Sequence, residues 1–185
     1  MKQQISVYHI CLLALAVCIN LAGGQLALAL RLPVYLDSIG TILTGALCGP
    51  VYGMVPNLLS GIILGMTTDI YSFYFAPVGM VVGLMSGLVW KKGRPWGWRM
   101  ALAALAITVP GTLLSSLICA GLFGGITSSG STILVQLLAR TPLGMMASVF
   151  LVQIVTDYLD RLISVFVVLR LLQVLPERMQ ERCRP

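Results

Sequence analysis

The stretch FAPVGMVVGLMSGLVW, residues 75–90, sets Gly79, Gly83 and Gly87 four positions apart in an almost wholly apolar run. Gly45, Gly49 and Gly53 repeat the pattern upstream. Glycine every fourth residue strips one helix face of side chains, so a second backbone can approach it closely. In lipid, apolar burial no longer drives helices together, and small-residue stripes of this kind are a main device for packing them. The pattern predicts a compact membrane bundle.

Composition agrees. Of 185 residues, 58% are hydrophobic and only 10% charged, and the mean hydropathy is +0.95, whereas a soluble domain carries about a quarter charged residues. The length suits a single integral membrane domain, residues 1–185. The formal charge of +6 is not patterned for nucleic acid. The basic residues gather at Lys2, in the loop Lys91–Arg99 and in the tail (Arg178, Arg182, Arg184), the bias expected of cytoplasmic segments. The five cysteines have neither metal-ligand spacing nor a disulfide framework and read as small packing residues. Met1-Lys2, an apolar run and Ala27-Leu28-Ala29 resemble a signal peptide. That run extends from Ile5 to Leu30, longer than a leader's apolar core, and reads as a retained helix.

Apolar segments follow at about Tyr35–Cys48, Val51–Thr67, Phe75–Trp90, Met100–Phe123 and Leu143–Leu175, with a short piece at Thr132–Ala139. The segments on either side of Gly49-Pro50 are short for a span of about 20 residues. Pro110 is expected to kink the segment that contains it. The fold expected is an all-α membrane protein, a compact bundle of six transmembrane helices with both termini cytoplasmic. The Asp69–Tyr74 loop and the Gly124–Ser131 turn then share the outer face.

Several polar groups need an explanation. Asp157, Asp160 and Arg161 interrupt the last helix near mid-membrane, where ionisable groups are costly and face a bundle interior or a cavity. Asp157 and Arg161, four apart, are expected to form a buried ion pair, with a substrate or proton role as the alternative. Asn20, Gln25, Asn57 and Gln153 are amides in apolar segments and suit interhelical hydrogen bonds; Asn57 and Gln153 are the better ligand contacts. Asp37 is placed to cap the second helix. Tyr71, Phe73 and Tyr74 offer faces to a flat ring, and Asp69 an acceptor. Thr127, Ser128, Ser129 and Ser131 add uncharged donors, which suits a small, polar, roughly neutral ligand. The rival reading is an interfacial aromatic belt beside an ordinary turn. No phosphate loop, nucleophile triad, metal cluster or dinucleotide fingerprint can be assembled, so neither an enzyme nor a cofactor is expected.

Leu36-Asp37-Ser38-Ile39-Gly40-Thr41-Ile42-Leu43 with Gly49-Pro50 and Gly53, then Phe123–Ser131, then Asp157-Tyr158-Leu159-Asp160-Arg161, resemble in order the substrate-binding S components of energy-coupling factor (ECF) transporters. The likeness covers most of the chain. It implies a protein of the bacterial plasma membrane that captures a vitamin or vitamin-like compound at the outer face. A B6 vitamer or pyrimidine precursor is the first guess. It implies as partners a transmembrane coupling subunit and two ATPase subunits. The family's small-residue seam for the coupling subunit falls here on Ala14, Cys18 and Ala22, with cysteine at the middle alanine position. The family's binding loops fall on Arg31–Asp37, Asp69–Tyr74 and Gly124–Ser131. Substrate-binding residues are therefore expected at Asn57, Asp69, Tyr71, Tyr74, Thr127, Ser128, Ser129 and Gln153. A proton-coupled carrier using Asp157 or Asp160, and a membrane ligand sensor, are the alternatives.

Overall fold

A computed structural model of the chain describes residues 7–140, 142, 144–176, 180 and 183. Lys2 and the tail residues Arg178, Arg182 and Arg184, on which part of the charge argument rests, lie outside them. The described residues form seven helices: α1 (Val7–Ala29), α2 (Ile39–Cys48), α3 (Pro50–Thr67), α4 (Ile70–Lys91), α5 (Trp98–Phe123), α6 (Thr132–Leu138) and α7 (Gly144–Val174).

Among the described residues only α1, α3, α4 and α5 are long and apolar enough to cross a membrane. The expected bundle of six transmembrane helices is therefore corrected to seven helices with four such spans, which still makes a multi-pass membrane protein. The reasons are length and charge. Ten residues of α2 reach only about 15 Å against a hydrocarbon core of about 30 Å. α6 has seven residues. α7 has 31, but it carries Asp157, Asp160 and Arg161 among its buried side chains.

α2 packs against α1, α3, α4 and α7 and is buried at every position except Ile39 and Ala46. An apolar helix without a polar face is what such a central position requires. Ile42, Leu43 and Leu47 join Val82, Ile107, Val165, Val168 and Leu169 in the main core. Leucine, isoleucine and valine side chains of the surrounding helices point outward instead, including Leu84, Leu88, Leu102, Leu113 and Leu117. That inversion suits a lipid-facing surface.

The glycine ladders mesh. A Cβ on Gly53 would lie 2.7 Å from the Gly83 carbonyl oxygen and 2.8 Å from the Gly45 Cα, distances no side chain tolerates. α2, α3 and α4 therefore touch backbone to backbone, as the spacing predicts. α3 and α4 share the most extensive helix contact in the chain. Helix α5 runs through Pro110 without ending there.

Segment 30–38 connects α1 to α2 by turning into the bundle. Arg31 and Leu36 adopt left-handed backbone conformations (φ 49° and 53°), unusual for residues with side chains. Glycines make room for it. The Leu36 carbonyl packs on Gly23, and the Arg31 carbonyl packs on Gly130. Irregular backbone is tolerated at such depth when protein surrounds it or it lines a cavity.

Two loop expectations change. The aromatic stretch 70–74 is the first turn and a half of α4, not a loop, with Asp69 at its N-cap. Ser38, not Asp37, is the N-cap of α2, and no side chain caps that helix.

Candidate functional site

One cavity lies at the end of the bundle opposite the basic loop between α4 and α5. Its wall draws on α1, segment 30–38, α3, the start of α4, Ser115 of α5, turn 124–131 and the middle of α7. Backbone conformation brings these together. The Gly124 and Gly125 residues, both at positive φ, turn the chain back after α5, and Gly125 packs against Met145 and Val149 of α7. Ser128 Oγ then donates to Asp69 Oδ2 (2.9 Å), an oxygen that also accepts from Ser72 Oγ (3.0 Å). This ties turn 124–131 to the start of α4 across the mouth.

Within the turn, Thr132 Oγ1 accepts from Thr127 N (3.1 Å) and donates to its carbonyl (2.9 Å), while Ser129 Oγ and Ser131 Oγ share a 2.9 Å hydrogen bond. Hydroxyls thus stand in for secondary structure. Asn57 sits below on α3, 5% exposed, under the bare face of Gly79, and its Nδ2 donates to the Asp37 carbonyl (3.3 Å).

Asp160 organises the inner end. Its Oδ1 accepts from Leu36 N (2.8 Å), and its Oδ2 accepts from Ser38 Oγ (3.2 Å) and Arg161 Nη1. Arg161 Nη1 also donates to Ser38 Oγ. The ion pair expected between Asp157 and Arg161 is corrected: among the described residues the salt bridge is Arg161–Asp160. Four-residue spacing allows a pair but does not compel one. The bent segment 30–38 presents an N–H and a hydroxyl that lock Asp160 in place, and the guanidinium follows that fixed carboxylate. Asp157 Oδ2 instead accepts from Thr112 Oγ1 on α5 (2.7 Å).

Asn57, Asp69, Tyr71, Thr127, Ser128 and Ser129 all line the cavity. Tyr74 and Gln153 do not. Tyr74 is 44% exposed and packs edge-on against Phe123 (5.3 Å between centroids) and Phe73. Tyr71 and Tyr74, three residues apart, share one face of α4 and both meet Phe123 edge-on, but only Tyr71 reaches the cavity. Gln153 is buried, but its Oε1 accepts from Ser116 Oγ (3.0 Å), an α5–α7 contact of the interhelical kind. Asn20 is likewise structural, donating to Thr41 Oγ1 and accepting from Gly40 N, both at 2.8 Å.

Tyr35 and Asp37, which fall in the expected loop Arg31–Asp37 but were not singled out, also line the cavity, and the sequence reading missed Ser60 and Ser115. Burial pushes the Asp37 carboxyl, in the segment between the helices, up to about 6, against the pull of Arg161. Burial also pushes the Tyr35 phenol up, so it stays a neutral hydrogen-bonding group. A signal existed for Asp37: a carboxylate among Leu36, Ser38 and Ile39 with no basic neighbour in sequence.

Ala14, Cys18 and Ala22 are exposed on one stripe of α1, away from the cavity. No group of three or more His, Cys, Asp or Glu among the described residues is placed to hold a metal ion.

No family model matches this chain, and it has no match among curated proteins or solved structures. The fold and cavity themselves describe an all-α multi-pass membrane protein whose build is consistent with membrane transport.

Proposed function

We propose that this chain is a membrane-embedded binding protein that captures a small molecule at the outer face of the membrane and serves as the substrate-binding component of an ECF-type importer. The observation that carries the reading is the cavity itself. Three connecting segments converge over one end of an apolar bundle, and polar side chains from turn 124–131, α3, α4 and α7 line the space beneath. The basic loop Lys91–Arg99 marks the other end as cytoplasmic by the positive-inside rule, so the cavity opens outward. The chain carries no nucleotide-binding loop, and energy comes from partners: a coupling subunit and two ATPases. The exposed stripe Ala14, Cys18, Ala22 is the docking seam for the coupling subunit, since small side chains let a second helix come close.

The test is co-purification. The tagged chain should bring down an ATPase–coupling complex and a bound small molecule identifiable by mass spectrometry. Ala14→Trp and Ala22→Trp should abolish assembly while ligand binding persists. A chain that assembles with no ATPase, and whose uptake collapses with an uncoupler, is the proton-coupled carrier. Asp37 and Asp157 on the cavity wall give that second reading its basis.

A further inference from the structure

We infer that the cavity takes a small ligand carrying a protonated nitrogen, an amine or an amidine-type aromatic base, next to a hydrogen-bond acceptor. This rests on the reading of the cavity as a binding site and narrows its substrate class.

The charge inventory comes first. Arg161 is the sole basic residue among those lining the cavity, and Asp160, outside the lining, already answers its charge through Nη1. Asp37 and Asp157 lie in the field of that same guanidinium without forming a salt bridge to it, so three carboxylates answer to one cation, and Asp69 stands at the mouth. Thr112 gives Asp157 one hydrogen bond. Among the described residues no other side chain donates to the Asp37 carboxylate. Carboxylates in excess of the cation among them are costly in such a site, and a ligand cation between them lowers that cost while gaining charge-assisted hydrogen bonds.

The second observation is independent. Arg161 is 6% exposed, lines the cavity, and its Nε–H has no partner among the described residues. A buried donor left unpaired is rare in native proteins. An acceptor on the ligand satisfies it, so the site asks for a donor cation and an acceptor in one molecule. Tyr35, Tyr71 and Phe75 supply aromatic surface for the body of such a ligand. The carboxylates are spread over segment 30–38 and α7, without the convergence a metal ion needs.

The experiment uses the purified chain in nanodiscs and three matched planar compounds: benzamidinium, neutral benzamide and anionic benzoate, with sodium and calcium chloride as further arms. Thermal unfolding and calorimetry read binding. Benzamidinium should stabilise the protein and bind about tenfold or more tightly than benzamide. Asp37→Asn, on a partly exposed segment, should remove that preference while the variant's own unfolding transition stays cooperative. Asp157→Asn should do the same, and if it does not fold, Asp37→Asn decides. Equal or tighter binding of benzamide or benzoate overturns the inference, as does stabilisation by the metal salts alone or by none of the compounds. Loss of ATPase co-purification with the preference intact would instead remove the importer reading and leave this one standing.

Discussion

The backbone N–H of Leu36 donates to Asp160 Oδ1 at 2.8 Å, a contact between residues 124 positions apart. It holds Leu36 in its left-handed conformation and fixes the carboxylate to which Arg161 then binds. Segment 30–38, the start of α2 and the middle of α7 are thereby one polar assembly inside an apolar bundle.

Removing that carboxylate should be the most damaging conservative change in the chain. Asp160→Asn leaves Arg161 buried beside a neutral amide, and breaking a buried pair costs about 3–5 kcal/mol. Asp157→Asn keeps an acceptor for Thr112 Oγ1 and removes a charge that has no salt bridge of its own, so stability should stay within about 0.5–1 kcal/mol of the parent. Denaturation in mild detergent ranks the two variants. The reverse order would return Arg161 to Asp157.

Glycine substitutions should separate close approach from mere abundance. Gly83→Ala drives a methyl into the Gly53 carbonyl and should destabilise by about 1–3 kcal/mol. At Gly121 on α5 nothing lies within 4 Å of an added Cβ, so Gly121→Ala should stay within about 0.5 kcal/mol of the parent. Thermal unfolding of both variants provides the comparison, and equal effects would deny the ladder its packing role.

Orientation is testable with single cysteines in a background whose native cysteines are replaced. Gly93, beside the α4–α5 loop, and Ile126, 53% exposed in turn 124–131, lie at opposite ends of α5. Impermeant reagent added to intact cells should label Ile126→Cys and spare Gly93→Cys. Labelling of Gly93→Cys from outside would turn the cavity toward the cytoplasm.

Asp37 sets two opposed pH slopes. Burial raises its carboxyl from 3.8 to about 6, so between those values the folded state holds a proton that the unfolded state has lost. Stability of the ligand-free protein should therefore rise as pH falls from about 6 toward 3.8. Benzamidinium affinity should move the other way, weakening as protonation removes the charge it pairs with. Tyr35, Asp157, Asp160 and Arg161 set the electrostatic environment around this carboxyl. Asp37→Asn should reduce both slopes, measured as melting temperature and Kd against pH, with Asp157 on the same wall carrying the remainder.

Gly45, Gly53 and Gly83 announced their contacts from spacing alone, because a four-residue period on an α-helix maps directly onto one face. Turn 124–131 was equally plain: Gly124 and Gly125 permit positive φ, and its hydroxyls satisfy backbone groups that no helix or strand serves. Ser128 and Asp69 were both singled out in the sequence and both line the cavity, but their bond, which spans 59 positions, was not legible there. Tyr74 misled because the aromatic stretch was read as a loop, where several rings can converge. In α4 the two rings are stacked along one face against Phe123, at different heights relative to the cavity, and only Tyr71 lines it.

The amino-acid sequence by itself determined that the chain is helical, apolar and close-packed, with a basic loop at one end and polar turns at the other. These are local properties: hydropathy, helical period and turn chemistry act over a few residues. Only the tertiary structure decided that α2, already short in sequence, sits at the centre of the bundle, that Arg161 serves Asp160 rather than Asp157, and that Asp37 faces a cavity instead of capping a helix. Those choices depend on which backbone groups segment 30–38 brings beside α7. A buried charge takes the partner whose position is already fixed, and that partner was fixed by residues more than 120 positions away.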